Sequence, residues 1–389
     1  MASYEKRGNT WRYRISLGKN PKTGKYEYLS KSGFQRKSDA KHHAEMLERQ
    51  LRTGEYITPS TSSFRQVAEE WLKHYSKEVK VSSVRIREKS IYHALQRFGD
   101  YPIHRITKHK YQSFIDDMID KYSRNYVKSM LTTINMVFKY AIEMKLIKES
   151  PHVGVKLPRR VATVEDLEGE NISSKFLEKE ELLEFLKIAK YDHSSKNSFE
   201  FFVTLAYTGM RMGECLALKW SDVDFDNNTI RINKTYYNPS NNKKKYQLLT
   251  PKTESSIATI AVEPMVIETL KNYKDNVQST WINELYVDND FVFTDINGYP
   301  LVKQRITQWI ASIMPKTNIN KHISSHSFRY THCALLIEAG VHIKEIQERL
   351  RHSDINTTMN IYAKITDSYK KDAYQKFSQL MKNVSEEIF

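Results

Sequence analysis

The stretch Leu350-Arg351-His352-Ser353-Asp354-Ile355-Asn356-Thr357-Thr358-Met359-Asn360-Ile361-Tyr362 puts a histidine and a tyrosine ten residues apart, with polar, capping-type residues between them. As one continuous helix it would hold His352 and Tyr362 roughly 15 Å apart, too far to share a ligand. A break near Asn356 is expected, and it would let the two side chains converge.

Two further segments supply partners. His326-Ser327-Phe328-Arg329 lies in a helical stretch, 325–338, where a spacing of three puts His326 and Arg329 on one face. In Thr208-Gly209-Met210-Arg211-Met212-Gly213-Glu214, glycines flank an arginine between the end of one helix and the start of another. Taken singly, each of these side chains fits a structural role as well as a functional one.

Together they suit a phosphodiester. Two arginine forks can clamp its non-bridging oxygens and offset the charge that grows in a pentavalent transition state, a role that falls to Arg211 and Arg329. A tyrosine hydroxyl attacking phosphorus conserves the bond energy of the cut strand and needs neither ATP nor metal, which makes Tyr362 the candidate nucleophile. The leaving 5′-oxygen needs a proton, for which Lys252, in Thr250-Pro251-Lys252-Thr253, is the candidate. His326 and His352 can exchange protons or donate to the phosphate. No Walker-type loop, paired-aspartate nuclease pattern or HExxH occurs, and no cofactor is expected.

Charge points to the same class of partner. The chain of 389 residues has a net charge of +15, which implies a polyanion. Residues 1–57 carry 13 basic and 6 acidic side chains and residues 63–156 carry 18 and 10, whereas from 179 onward 27 basic residues meet 25 acidic ones. Grip and chemistry are thus expected on different parts of the chain. Only Cys215 and Cys333 are present, which argues against a disulfide framework and for a reducing compartment. No apolar run suggests a membrane span or a secretory signal, so a cytoplasmic location is expected.

The length calls for two or three cores. Trp11 to Leu17 alternates apolar with polar, residues 20–24 read as a turn and Tyr26-Glu27-Tyr28-Leu29 resumes a strand; Ala40, Ala44, Leu47 and Leu51 share one helical face. A three-stranded sheet backed by that helix would expose Arg12, Arg14, Lys22, Lys25 and Lys31 on a surface able to enter a DNA groove. Past a turn-rich linker, Phe64, Val67, Ala68, Trp71 and Leu72 form an apolar stripe, and further helices are expected over 84–98, 108–122 and 123–144, giving a four-helix bundle. The acidic, unperiodic stretch 157–174 reads as a linker. Beyond it, helices over 180–189 and 199–208, strands over 229–236 and 256–261 and further helices predict a helix-dominated domain with a small sheet. The lysine-rich run 241–245 sits where a hairpin loop belongs.

Arg211, Lys252, His326 with Arg329, His352 and Tyr362 occur in the order and local contexts of the tyrosine recombinase family, and the chain resembles phage and conjugative-element integrases. The resemblance spans nearly the whole chain: 1–57 is similar to an arm-site DNA-binding domain, 63–156 to a helical, SAM-like core-binding domain and 175–389 to a mixed α/β catalytic domain with a C-terminal tail. It implies cleavage through a 3′-phosphotyrosyl link, a Holliday junction intermediate and a homotetramer bridging double-stranded DNA partners at core and arm sites. An excisionase and a host DNA-bending protein fit the same picture. Glu214 matches an acidic residue often found after the first arginine of the motif, and residues 369–381 match a tail that packs on a neighbouring protomer. Arg351 departs from the pattern, since a glycine usually precedes that histidine. Two other readings use the same residues: a relaxing enzyme of the type IB topoisomerase kind, and a DNA-binding regulator that has lost catalysis.

Overall fold

The computed structural model describes the chain except residues 1, 21–22, 54–55, 57–60, 159–174, 196, 252–256, 353, 357, 360 and 362–389. Lys252, Tyr362, the tail and nearly all of the linker therefore lie outside the described residues. The chain divides into two compact units, residues 1–161 and 162–389.

The first unit begins with an antiparallel sheet of β1 (Ser3–Arg7), β2 (Thr10–Lys19) and β3 (Tyr26–Phe34), backed by α1 (Lys37–Thr53). Gly8, at φ +58°, takes the first central position of the two-residue β1–β2 turn, a place that favours glycine. Tyr13 and Ile15 are buried with Ala44 of α1. Their neighbours Arg12 and Arg14 point to the opposite face, because side chains alternate along a strand. There the Arg14 guanidinium stacks 3.5 Å above the Tyr28 ring, and Arg12 donates to Ser30 Oγ at 2.8 Å.

Lys31 does not share that face. The pairing Ile15↔Leu29, Arg14↔Ser30 and Tyr13↔Lys31 is unbroken, so plain alternation puts Lys31 on the same face as Leu29 and the inward-facing Tyr13, with its Nζ 3.2 Å from His43 Nε2 on α1.

Four helices follow: α2 (Phe64–Tyr75), α3 (Val81–Phe98), α4 (Lys108–Ile119) and α5 (Arg124–Glu143). The start of α2 is fixed by a capping box in which Ser63 and Gln66 each satisfy the other's backbone N–H. The apolar stripe read at Phe64, Val67, Ala68 and Trp71 packs on Ile91, Ala94, Phe98, Phe114, Ile134 and Phe138 to form the core of the bundle.

In the second unit, α6 (Lys179–Tyr191), α7 (Ser198–Thr208) and α8 (Met212–Cys215) precede the sheet β4 (Val223–Asp224), β5 (Thr229–Ile232) and β8 (Ala258–Ala261), with the hairpin β6 (Thr235–Tyr237) and β7 (Gln247–Leu249) inserted. Then come α9 (Pro264–Asn276), α10 (Lys303–Ile313), α11 (Ser327–Glu338) and α12 (Ile343–Leu350). The strand expected over 229–236 is two strands, broken where Lys234 turns to pair with the buried carboxylate of Asp222. The run 241–245 lies in the β6–β7 loop as expected, but Lys243 is paired with Asp295 at 2.5 Å. A core of Phe185, Phe202, Phe293, Trp309 and Phe328 holds α6, α7, α10 and α11 together.

Candidate active site

The site is built where three chain segments end. Gly209 closes α7 in the left-handed region at φ +61°, with its N–H on the Leu205 carbonyl at 3.0 Å. A Cβ there would lie 2.7 Å from His332 Cδ2 and 2.8 Å from Leu350 Cδ2, so both backbone and space require glycine. The turn it makes delivers Arg211 to the N-cap of α8. Glu214, three residues on, takes the Arg211 backbone N–H at 3.0 Å and its Nη1 at 2.9 Å.

Arg329, on the first turn of α11, is buried. Its Nη1 donates to the Gly209 carbonyl at 2.6 Å and its Nη2 to the Leu350 carbonyl. One guanidinium thereby ties the end of α7 to the end of α12. Burial, then Arg211 and Arg351, pull its pKa down to about 9, which still leaves it charged at neutral pH. His326 precedes α11 at the solvent edge, its ring edge-on to Tyr330 at 4.8 Å. Desolvation, Arg329 and Arg211 lower its pKa.

The break between His352 and the residues after it falls earlier than expected. Arg351 takes the left-handed region (φ 56°, ψ 44°) as the C-cap of α12, and Ile355 and Asn356 are helical, so the break falls at Arg351 and not near Asn356. The stop is supplied by an arginine rather than by glycine or asparagine, which hides it from a reading of capping residues. His352 leaves the turn with Nδ1 2.9 Å from Thr358 Oγ1, and Gln347 donates to its carbonyl at 3.0 Å. Thr358 is fully buried and was not singled out from sequence; its spacing of six from His352 does not place the two on one face of a helix. Desolvation, then Arg329, Arg211, His326 and Arg351, push the His352 pKa down to about 3.

Arg211, His326, Arg329 and His352 thus converge, each of the histidines feeling both arginines. Two guanidiniums, of Arg211 and Arg351, meet the single carboxylate of Glu214, and Arg329 lies within its electrostatic reach. Such a cluster holds a surplus of positive charge with fixed donors, the arrangement that receives a phosphate. Among the described residues no three His, Cys, Asp or Glu side chains gather as a metal site requires. No described helix is long and apolar enough to cross a membrane.

Comparison with known proteins agrees with this geometry. Residues 175–368 match the phage integrase family, 64–156 the phage integrase central domain and 2–51 an arm DNA-binding domain. The integrase of Staphylococcus phage L54a is 30% identical over 335 residues, covering 82% of this chain and 94% of the relative. The chain belongs to the phage integrase family. It is a tyrosine recombinase of the integrase kind, with the three-domain fold of arm-binding, central and catalytic domains. Among solved structures, the Tn1549 transposon integrase in complex with a circular intermediate DNA matches with a TM-score of 0.63 at 20% identity, over 77% of this chain and 94% of that one. A lambda integrase tetramer bound to a Holliday junction matches with a TM-score of 0.54 at 17% identity, over 90% and 95%.

Proposed function

We propose that this integrase cuts and rejoins DNA strands at the attachment sites of a mobile element, with Tyr362 as nucleophile. The observation that carries the reading is the convergence of Arg211 and Arg329 with two histidines in one cationic cluster. Tyr362 Oη attacks the phosphorus held by the two guanidiniums. The bond from phosphorus to the 5′-oxygen breaks, the 3′-phosphate stays on the tyrosine, and Lys252 gives a proton to the departing oxygen. His326 and His352, kept neutral by desolvation and then by the arginines around them, accept the tyrosine proton and hydrogen-bond the phosphate. Attack by the 5′-hydroxyl of a partner strand reverses these steps, regenerates the tyrosine and leads through a Holliday junction.

The domains divide the work: 1–57 holds arm sites, 63–156 and 175–389 hold core sites, and four copies assemble on two DNA partners. Integration and excision are biased by an excisionase and a host DNA-bending protein, in the bacterial cytoplasm. The test is incubation of wild type and Tyr362→Phe with nicked DNA carrying the element's terminal sequence. A covalent adduct on denaturing gels that the variant lacks supports the reading. No adduct from wild type on cognate DNA would favour a DNA-binding regulator without catalysis.

A further inference from the structure

Arg351 occupies a place that ought to reject it. Its left-handed backbone suits glycine, its side chain is 1% exposed, and its Nε has no partner among the described residues. A charge in such a place is expensive unless it is paired. The pairing is specific: Nη2 donates to Glu214 Oε2 at 2.7 Å. The same oxygen accepts the backbone N–H of Arg211, and the other oxygen accepts its Nη1. The three side chains form a row leading outward, with Arg351 at 1%, Glu214 at 5% and Arg211 at 41% exposure.

We infer that Arg351 is a positioning residue for strand cleavage: it acts through Glu214 to set the guanidinium of Arg211. The physical reason lies in Glu214. Burial alone would raise the pKa of this carboxyl, and Arg351 is the largest of the influences that reverse the shift and leave it lowered. Without Arg351 the buried glutamate would keep only the partly exposed Arg211 as a side-chain donor, with the charge of Arg329 nearby, and its pKa would rise. The protonated group would then keep a weaker hold on Arg211, whose donors would be free to swing. Arg351 touches neither DNA nor the reacting atoms in this scheme. The inference rests on the recombinase reading for its effect on rate, but the arrangement itself can be observed without any reaction.

The experiment uses the full chain and the variants R351G, R351K, E214Q and E214Q/R351G. Selective 15N-arginine labelling follows the guanidinium of Arg211, assigned with R211K. In wild type the Arg211 Nη signals should show hindered rotation, and in R351G they should average; unchanged signals would overturn the proposal even if the protein proved not to cut DNA. Single-turnover cleavage of a nicked core site gives the second readout. R351G should cleave at least tenfold more slowly than wild type. It should also gain an acidic limb that wild type lacks, losing further activity as pH falls through the raised pKa of Glu214, over and above any slope the two proteins share through their histidines. R351K, which keeps a cation, should remove that limb, and R351G should slow E214Q by no more than about twofold. A limb in R351K equal to that of R351G, or a full tenfold loss from R351G in the E214Q background, would overturn the inference. Absence of an adduct from wild type would instead strike at the recombinase reading, with the Arg211 signals still deciding the role of Arg351.

Discussion

Nη1 of Arg329 lies 2.6 Å from the carbonyl oxygen of Gly209, so a buried cation on α11 fixes the very turn that presents Arg211. The two arginines of the site are therefore not independent: what moves one displaces the other.

That dependence makes Arg329→Lys a severe change. A lysine carries a single compact ammonium and cannot reach two carbonyls while facing a phosphate. Single-turnover cleavage is expected to fall by about two orders of magnitude, as for loss of one fixed oxyanion donor. Core-site binding should change by only a few fold. A variant that cleaves within tenfold of wild type would contradict the clamp.

Gly209→Ala tests the turn itself. A side chain in the left-handed region costs about 1 to 2 kcal/mol, and a Cβ within 2.8 Å of His332 and Leu350 adds an overpacking cost of about 1 to 3 kcal/mol. Urea unfolding should show a loss of about 2 to 5 kcal/mol, with cleavage reduced alongside. A loss under about 1 kcal/mol would mean that the turn yields easily.

His332 gives the fold an acid limit. Its Nδ1 lies 2.8 Å from the Ala206 carbonyl, so that nitrogen carries the proton, and Nε2 accepts from Arg349 Nε at 3.0 Å. Desolvation, then Arg349, push its pKa down to about 4. Between the unfolded value near 6.5 and this folded value the unfolded chain binds the extra proton, so stability is lost as pH falls through that window. Replacing His332 with Gln should flatten the dependence of unfolding free energy on pH between about 4 and 6.5. An unaltered slope would show that other groups set the acid limit.

The outer face of the N-terminal sheet should govern arm-site affinity alone. Arg14→Ala removes the guanidinium stacked on Tyr28 and should weaken binding to arm DNA while reducing the salt slope by about one. Cleavage of a short nicked core site should stay at the wild-type rate; a parallel loss there would tie the sheet to the chemistry.

Where the sequence was legible, local signals and tertiary packing agreed. The stripe Phe64, Val67, Ala68 and Trp71 has helical spacing and a Ser63 cap, and it packs as that spacing implies. The sheet was expected to have three strands, but β1 was not located because Ser3–Arg7 is mostly charged and exposed and shows no alternation. Lys31 was grouped with the outward arginines although alternation from Leu29 turns it toward α1. The strand over 229–236 ran past Asn233 and Lys234 because its interruption comes from a distant partner, Asp222. At the site, Arg211, His326, Arg329 and His352 were readable from motif and chemistry. Thr358, Arg349 and His332 were not, since their roles arise only once α7, α11 and α12 meet.

The carbonyls held by Arg329 stand 120 residues upstream and 21 residues downstream of it. A clamp drawn from such distant points exists only when the whole C-terminal unit has closed its core. Competence to break DNA thereby reports complete folding. On the proposed division of labour, a chain still being synthesised, or one locally opened, would hold DNA through its basic N-terminal domains without the means to nick it.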